Sequence, residues 1–289
     1  MDVSIVVPFH NEEKYIEECI RALLLQNYDN DRYEILMVNN NSTDRSVEIV
    51  SAYPEVQLFH EQEPGDFAAR NLGVAKASGK LIAFTDSDTA PLPDWLGQAV
   101  HVMHDPDSVL VVGNLQFSSN SAGMRLVCDY EAEKNRFIFS SSDSRVYYGY
   151  TCNMIVRRSV FEQLGNFPNV FRNSDVVYVR KVVDALSNDA VCYGDRVRVR
   201  RLEITNYWDY VSKQYVYGSD LNRYSRFADV RPLNTRERFT VFSRAIHRYA
   251  YSPLTATYLL ALLAVAAISY KSGRFIGVRN RFINMLPGR

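Results

Sequence analysis

Four cysteines, Cys19, Cys128, Cys152 and Cys192, lie scattered through the sequence without a C-x-x-C pair. That argues against a disulfide framework or a cysteine-ligated zinc site and for reduced thiols in a cytosolic setting. Net charge is also lacking. Thirty-three basic residues balance 33 acidic ones, so nothing in the composition calls for a nucleic-acid partner. The opening "MDVSIVVPFHNEE" lacks the basic start of a signal peptide, and Pro8 stops its apolar run early, so no export signal is read there. No internal repeat and no low-complexity linker interrupts the chain. The first apolar run is followed by "FHNEE" and not by a glycine-rich loop, which counts against a nucleotidyltransferase.

What is present is an ordinary globular balance over 289 residues, 47% hydrophobic and 23% charged. That is enough for one large domain or a domain with an appendage. Residues 3–7, 34–39, 56–59 and 81–86 are short, nearly continuous apolar runs, as expected of strands buried on both faces of a parallel sheet. Between the first two, Tyr15, Ile16, Cys19, Ile20, Leu23 and Leu24 share a helical face, with Glu13, Glu17 and Arg21 opposite. "STDRSVEIV" and "GDFAARNLGVAKA" read as two further crossover helices. The alternation predicts a right-handed, doubly wound α/β sheet, in which ligands bind beyond the carboxyl ends of the strands. Those ends carry Pro8-Phe9-His10-Asn11-Glu12, Asn39-Asn40-Asn41 and Asp86-Ser87-Asp88. Beyond them the elements loosen but remain mixed: strands are expected at 109–117, in "CNMIVRRS" and in "VRVRRLEI", and helices in "DWLGQAVHVM", "MRLVCDYEAEKNRFIF" and "SDVVYVRKVVDALS". They are expected to extend the first sheet.

The acidic pair Asp86 and Asp88 needs a reason, because two carboxylates at a strand mouth repel each other. Solvated caps on the strand end and the next turn are one reading. A D-x-D-x-T phosphatase is a second, but Ala90 stands where the threonine is required, and the pair follows the fourth strand instead of the first. A third is a divalent cation, Mg²⁺ or Mn²⁺, bridging the pair to a substrate diphosphate.

"SIVVPFHNEE", "EILMVNNNSTDRS", "ARNLGVAKASGKLIAFTDSD" and "CNMIVRRSVFEQLGNF" occur in order over about residues 3–195. In this the chain resembles the family 2 glycosyltransferases of the GT-A fold, with a doubly wound, mixed but mainly parallel sheet flanked by helices. The resemblance implies transfer of one sugar, with inversion, from a UDP- or GDP-sugar to an acceptor hydroxyl. Pro8, Phe9, Asn11 and Glu12 would line the base and ribose, with Asn39 at the base edge, Asn41 beside it and Asp44 shaping the turn. Many relatives have an acid where Asn39 stands, and an amide both donates and accepts, which leaves the base open. Gly65, Arg70 and Asn71 would approach the donor phosphates and sugar. Asp86 and Ser87 would contact the donor too, and Asp86 and Asp88 would hold the metal. The family's base is usually written Glu-Asp at a helix start; here Ser174-Asp175 occupies that place, making Asp175 the candidate, with Asp143 in reserve and a plain helix cap as the alternative. Arg200 and Arg201 stand where many relatives carry a histidine ligand. No Q-x-x-R-W occurs, which argues against a processive synthase. A nucleotide-sugar-binding partner or scaffold without turnover is the competing reading.

From Pro253 to Tyr270 no charge appears, eighteen residues at the lower limit for a bilayer span. Upstream, Arg236, Arg238, Arg244 and Arg248 interleave with Phe239, Phe242, Ile246 and Tyr249, a composition suited to an interfacial helix. The expected organisation is a catalytic domain over 1–230, divided near 117 into donor and acceptor halves, and a membrane-associated tail over 231–289. A buried helix or a homodimer contact is the alternative for the tail. Lys271, Arg274, Arg279, Arg281 and Arg289 favour a shallow or re-entrant insertion with both flanks at the cytosolic face over a full span. A lipid-linked or envelope saccharide acceptor follows from that placement.

Overall fold

The computed structural model describes the chain apart from residues 120, 170–172, 225–226 and 284–289, and apart from the side chains of 221–224 and 277–283. Arg279, Arg281 and Arg289, used above to orient the tail, therefore lie outside the described side chains.

The apolar runs become β1 (Val3–Phe9), β2 (Tyr33–Asn39), β3 (Gln57–His60) and β4 (Leu81–Phe84), all parallel, in the order β3-β2-β1-β4. The helices between them are α1 (Ile16–Leu24), α2 (Ser46–Ser51) and α3 (Asp66–Lys76). All seven residues of β1 are buried, as its place between two neighbours requires. Its side chains alternate between two cores. Val3, Ile5 and Val7 meet Ile16, Ile20 and Leu23 of α1, while Val6 meets α3 on the other face. α3 approaches so closely that a Cβ at Gly73 would stand 2.3 Å from the Val6 side chain, which is why glycine is there.

A short β5 (Thr89–Pro91) and α4 (Trp95–Val102) follow the acidic pair, then β6 (Leu110–Phe117) and α5 (Ala122–Phe139). β7 (Met154–Arg157) inserts antiparallel between β4 and β6, leading into α6 (Arg158–Leu164) and α7 (Ser174–Ala185). β8 (Val191–Arg201) lies parallel to β6 and antiparallel to β5, completing one eight-stranded sheet, β3-β2-β1-β4-β7-β6-β8-β5. The second half does extend the first sheet, which is mixed. β5 is three residues long and carries no periodic signal, so no strand was expected there. Phe84, Phe161, Phe167 and Tyr178 form an aromatic cluster with ring centroids 4.7–6.0 Å apart. Each such buried side chain contributes about 1.5–3 kcal/mol, and together they fix α7 against the carboxyl end of β4.

The tail is less separate than the sequence suggested. α8 (Tyr207–Tyr224), α9 (Thr235–Arg248) and α10 (Pro253–Ile283) cover α5, and Val241 and Leu259 join the main core. α8 and α10 cross at Gly218 and Gly273; a Cβ on either would lie 2.0 Å from a backbone oxygen of the other helix, Tyr270 O or Tyr215 O. Small residues permit such contact between helices. The basic face expected on α9 is redirected: Arg248 bonds Glu133 of α5 at 2.7 Å, Arg244 lies over the Phe137 ring, and Arg238 donates to the Leu233 carbonyl. Their long stems reach partners on the protein, while Arg236, Arg238, Arg244 and Arg248 all remain exposed. α10 by contrast keeps Leu254, Tyr258, Leu260, Ile268 and Phe275 exposed. Its stretch Pro253–Ile276 is long and apolar enough to cross a membrane, and 17% of its most apolar window is buried.

Candidate active site

The loops after β1 and β2 are stitched into one polar edge. Asn11 adopts a left-handed backbone (φ 56°), and its Oδ1 accepts from the Thr43 and Asp44 amides at 2.8 and 3.3 Å. Asn41 is left-handed as well (φ 62°), and its Nδ2 donates to the Gln62 carbonyl. Asparagine is among the few residues that tolerate this region. Glu12 N donates to Ser46 Oγ, and Glu13 N to Asp44 Oδ2, so Asp44 does shape the turn. Asn40, which the sequence did not single out, joins three segments: its Nδ2 donates to the Glu61 and Glu63 carbonyls and its Oδ1 accepts from Gly65 N at 2.9 Å. Gly65 begins α3 at φ 129°, a conformation L side chains rarely adopt.

Several expected donor contacts are placed differently. Pro8 and Phe9 are buried, Phe9 within the α1 core, so they offer backbone and not side chains to this edge. Asn39 is buried with its amide bonded to Ser42 N and the His60 ring. Asn71 exchanges two 3.0 Å bonds with the Phe167 backbone, far along the chain. Arg70 is buried and bonds Asp66 at 2.6 Å and Asp86 at 2.9 Å; it aims the first carboxylate of the acidic pair.

The pair itself sits on a closed turn. The Asp86 carbonyl accepts from Thr89 N and from Thr89 Oγ1 at 2.6 Å, and Ser87 is buried within the turn. Pairing of β5 with β8 brings Asp88 beside Arg201, at 3.9 Å. Asp88 Oδ1 is buried and has no hydrogen-bond partner among the described residues. Burial, then Asp86, push its carboxyl up to about 7 against the pull of Arg201. Glu12 is likewise pushed up to about 7, by burial and then by Glu203, Asp86 and Asp44. Glu12, Asp86, Asp88 and Glu203 thus influence one another electrostatically, and Glu203 is a member the sequence did not reveal. It pairs with Arg201 and with Lys213, the latter at 2.5 Å. The signal was the acid in "RRLE", two residues past the arginines.

An orphaned, buried carboxylate oxygen in a surplus of acid fits a hard divalent cation. No set of three potential protein ligands converges among the described residues. A site of one or two carboxylates, completed by water and phosphate oxygens, suits Mg²⁺ or Mn²⁺.

Asp175 lies in the first turn of α7, close enough to Arg70 to feel its charge. The preceding Asn173 is left-handed (φ 60°) and makes no side-chain cap. Asp175 accepts from Val176 N at 2.8 Å and Thr151 N at 3.2 Å. Burial pushes its carboxyl up to about 6, opposed by Arg70 and those two amides. A carboxylate with that value is matched to taking a proton near neutral pH. Asp143, the reserve candidate, is held far below the usual range, first by Arg145 and then, against burial, by Arg231, at 2.9 Å each. It is an ion-pair anchor.

Glycosyl transferase family 2 is the family whose model matches residues 4–165. The chain is 33% identical over 189 residues to glycosyltransferase AglE of Haloferax volcanii, covering 63% of this chain and 62% of that protein. It is 31% identical over 169 residues to the putative glycosyltransferase EpsH of Bacillus subtilis, covering 55% and 48%. The matched stretch thus spans about half to three fifths of these relatives. Among solved structures, the mannosyltransferase PcManGT of Pyrobaculum calidifontis, in complex with GDP-Man and Mn²⁺, superposes with a TM-score of 0.60 at 20% identity, over 96% of this chain and 84% of that one. TarS residues 1–349 of S. aureus gives 0.57 at 18% identity, over 97% and 91%. The fold is GT-A-like, and the chain belongs to glycosyl transferase family 2.

Proposed function

We propose that the protein is an inverting, cation-dependent glycosyltransferase that moves one sugar from a UDP- or GDP-sugar to a hydroxyl of a lipid-linked or envelope saccharide at the cytoplasmic face of a membrane. What supports this is the set of carboxylates near Arg70: Asp86 bonds it, Asp88 has a buried oxygen without a partner among the described residues, and the Asp175 carboxyl, which Arg70 pulls down against burial, is poised near neutrality. Structural neighbours crystallised with Mn²⁺ and nucleotide sugars support the same donor chemistry.

The polar edge from β1 and β2 would seat the nucleoside, with Glu12, Asn11, Asn39 and Asn41 setting its limits. Asp86, aimed by Arg70, and Asp88 would hold the cation, whose chemistry is to neutralise charge on the departing diphosphate. Arg201, between Asp88 and Glu203, adds a cationic donor toward the same oxygens. Asp175 takes the acceptor proton as the hydroxyl attacks, and displacement from the opposite face inverts the sugar. The test is a panel of UDP- and GDP-sugars scored by Mn²⁺-dependent thermal stabilisation, followed by transfer from whichever stabilises. Donor stabilisation without hydrolysis or transfer under any acceptor would reduce the protein to a binding partner.

A further inference from the structure

Arg200 and Arg201 are adjacent in the sequence, and the pleat of β8 sends them to opposite faces. Arg200 reaches Glu18 of α1 at 2.7 Å and remains exposed. Arg201 turns inward, with 11% of its side chain exposed. Strand pairing fixes what it meets there. Thr89 of β5 lies opposite Arg201, and Leu202 N donates to the Asp88 carbonyl at 2.9 Å, which sets Asp88 beside the guanidinium.

Two residues of α8 complete the surroundings. Arg201 Nη2 pairs with Glu203, and its Nη1 donates to Tyr217 Oη at 3.0 Å. Lys213, one helical turn before Tyr217 and so on the same face of α8, takes the other oxygen of Glu203 at 2.5 Å. Glu203 is therefore shared between two cations and does not claim Arg201 alone. The Arg201 Nε–H is buried without a hydrogen-bond partner among the described residues, as is Asp88 Oδ1 on the neighbouring side chain. An open donor on a buried cation and an open acceptor on a buried carboxylate call for two ligands of opposite sign. A metal ion would answer Asp88, and an oxyanion Arg201. The crossing with α10 holds α8 one residue from Tyr217: a Cβ at Gly218 would stand 2.0 Å from Tyr270 O. A fixed helix, and not a loop, thus delivers the phenol to Arg201.

We propose that Tyr217 is a positioning residue that holds the Arg201 guanidinium so that its free N–H meets the terminal phosphate of a nucleoside diphosphate. The choice of phosphate follows from topology. β2 and β1, whose loops form the polar edge, lie toward one end of the sheet order, and β8 and β5 lie at the other, so Arg201 meets the phosphate remote from the nucleoside. The identity of the ligand rests on the glycosyl-transfer reading; the role of Tyr217 rests on its bond to Arg201.

The test titrates UDP against UMP, and GDP against GMP, with Mn²⁺ into the full-length protein by calorimetry. The native protein should bind the diphosphate of one pair at least tenfold more tightly than its monophosphate. Tyr217→Phe removes one oxygen and no charge. It should weaken the diphosphate about tenfold, the scale of one charge-assisted hydrogen bond, and leave the monophosphate within about twofold. In Arg201→Gln the same Tyr217→Phe change should have no further effect, because a residue that acts through Arg201 then has nothing left to aim. If Arg201→Gln does not fold, Tyr217→Phe with its monophosphate control decides. Unchanged diphosphate affinity in Tyr217→Phe, an equal loss for both nucleotides, or a full additional loss in the Arg201→Gln background overturns the proposal. A native protein that binds neither pair refutes the nucleotide-sugar reading and this inference with it. One that binds donor and transfers sugar, while Tyr217→Phe keeps its diphosphate affinity, refutes this inference alone.

Discussion

At the edge formed by β1, β2 and β4, nearly every polar side chain is bonded to a neighbouring loop. In the helical cap of α5, α8, α9 and α10, aromatic and small side chains share the walls with charged ones such as Glu131, Lys134 and Arg238. Asn11, Asn40 and Asp44 hold their loops through backbone amides and carbonyls, which leaves little freedom. α8 and α10 hold each other through glycines and through Ser269 Oγ on the Val211 carbonyl, with a cavity beneath. The first arrangement suits a ligand of fixed shape, such as a nucleoside diphosphate. The second suits a flexible chain, for which a slot matters more than a set of donors.

The largest effect should come from the donor side. Asp88→Ala should abolish Mn²⁺-dependent donor binding, followed by calorimetry, and lower transfer by about a thousandfold or more. The metal-free fold should survive, because Asp88 Oδ1 has no partner among the described residues to lose. Unchanged transfer in excess chelator would remove the cation from the account and erase the contrast on that side.

Next is the helical crossing. Gly273→Val puts atoms where the Tyr215 carbonyl already stands, and overpacking of this kind costs about 1–3 kcal/mol. Denaturant unfolding and amide exchange should show α8 and α10 loosened while β1–β4 keep their protection. If stability is unaltered, the two helices are not packed as described.

The smallest is at the turn between α9 and α10. Tyr251 N bonds the Ile246 carbonyl and Ala250 N the His247 carbonyl, with Ala250 left-handed at φ 51°. That closure favours glycine. Ala250→Gly should stabilise the protein by about 0.5–1 kcal/mol in the same denaturant measurement. A loss instead would mean the alanine methyl is worth more than the backbone strain.

The two regions were also unequally legible in the sequence. Strands β1 to β4 stood out because a strand buried on both faces must be apolar throughout, and Asp86 and Asp88 stood out because acids at such a strand's end are costly. Ser174-Asp175 could be located by its place before a helical pattern. What could not be read was where amides and guanidinium groups spend their bonds. Asn71 and Arg70 look like ligand contacts in one dimension, yet Asn71 serves Phe167 and Arg70 serves Asp66 and Asp86. Glu203 and the cavity were hidden for the same reason: both arise from β5 pairing with β8 and from α10 returning over α5, contacts between segments far apart in the chain. The tail's composition was legible and its packing was not, since the stems of Arg244 and Arg248 reach α5 only after the helices have docked.

The central claim is that Asp175 removes the acceptor proton while Asp86 and Asp88 hold the donor. It is tested most directly by the pH dependence of single-turnover transfer in the native protein and in Asp175→Asn, with donor affinity measured beside it. Burial raises the Asp175 carboxyl to about 6, and the base acts only when ionised, so the native rate should fall as pH drops below that value, about tenfold per unit. Asp175→Asn should bind donor within a few fold of the native protein, transfer about a thousandfold or more slowly, and lose that acid limb. Near-native transfer with the limb intact in Asp175→Asn would contradict the account.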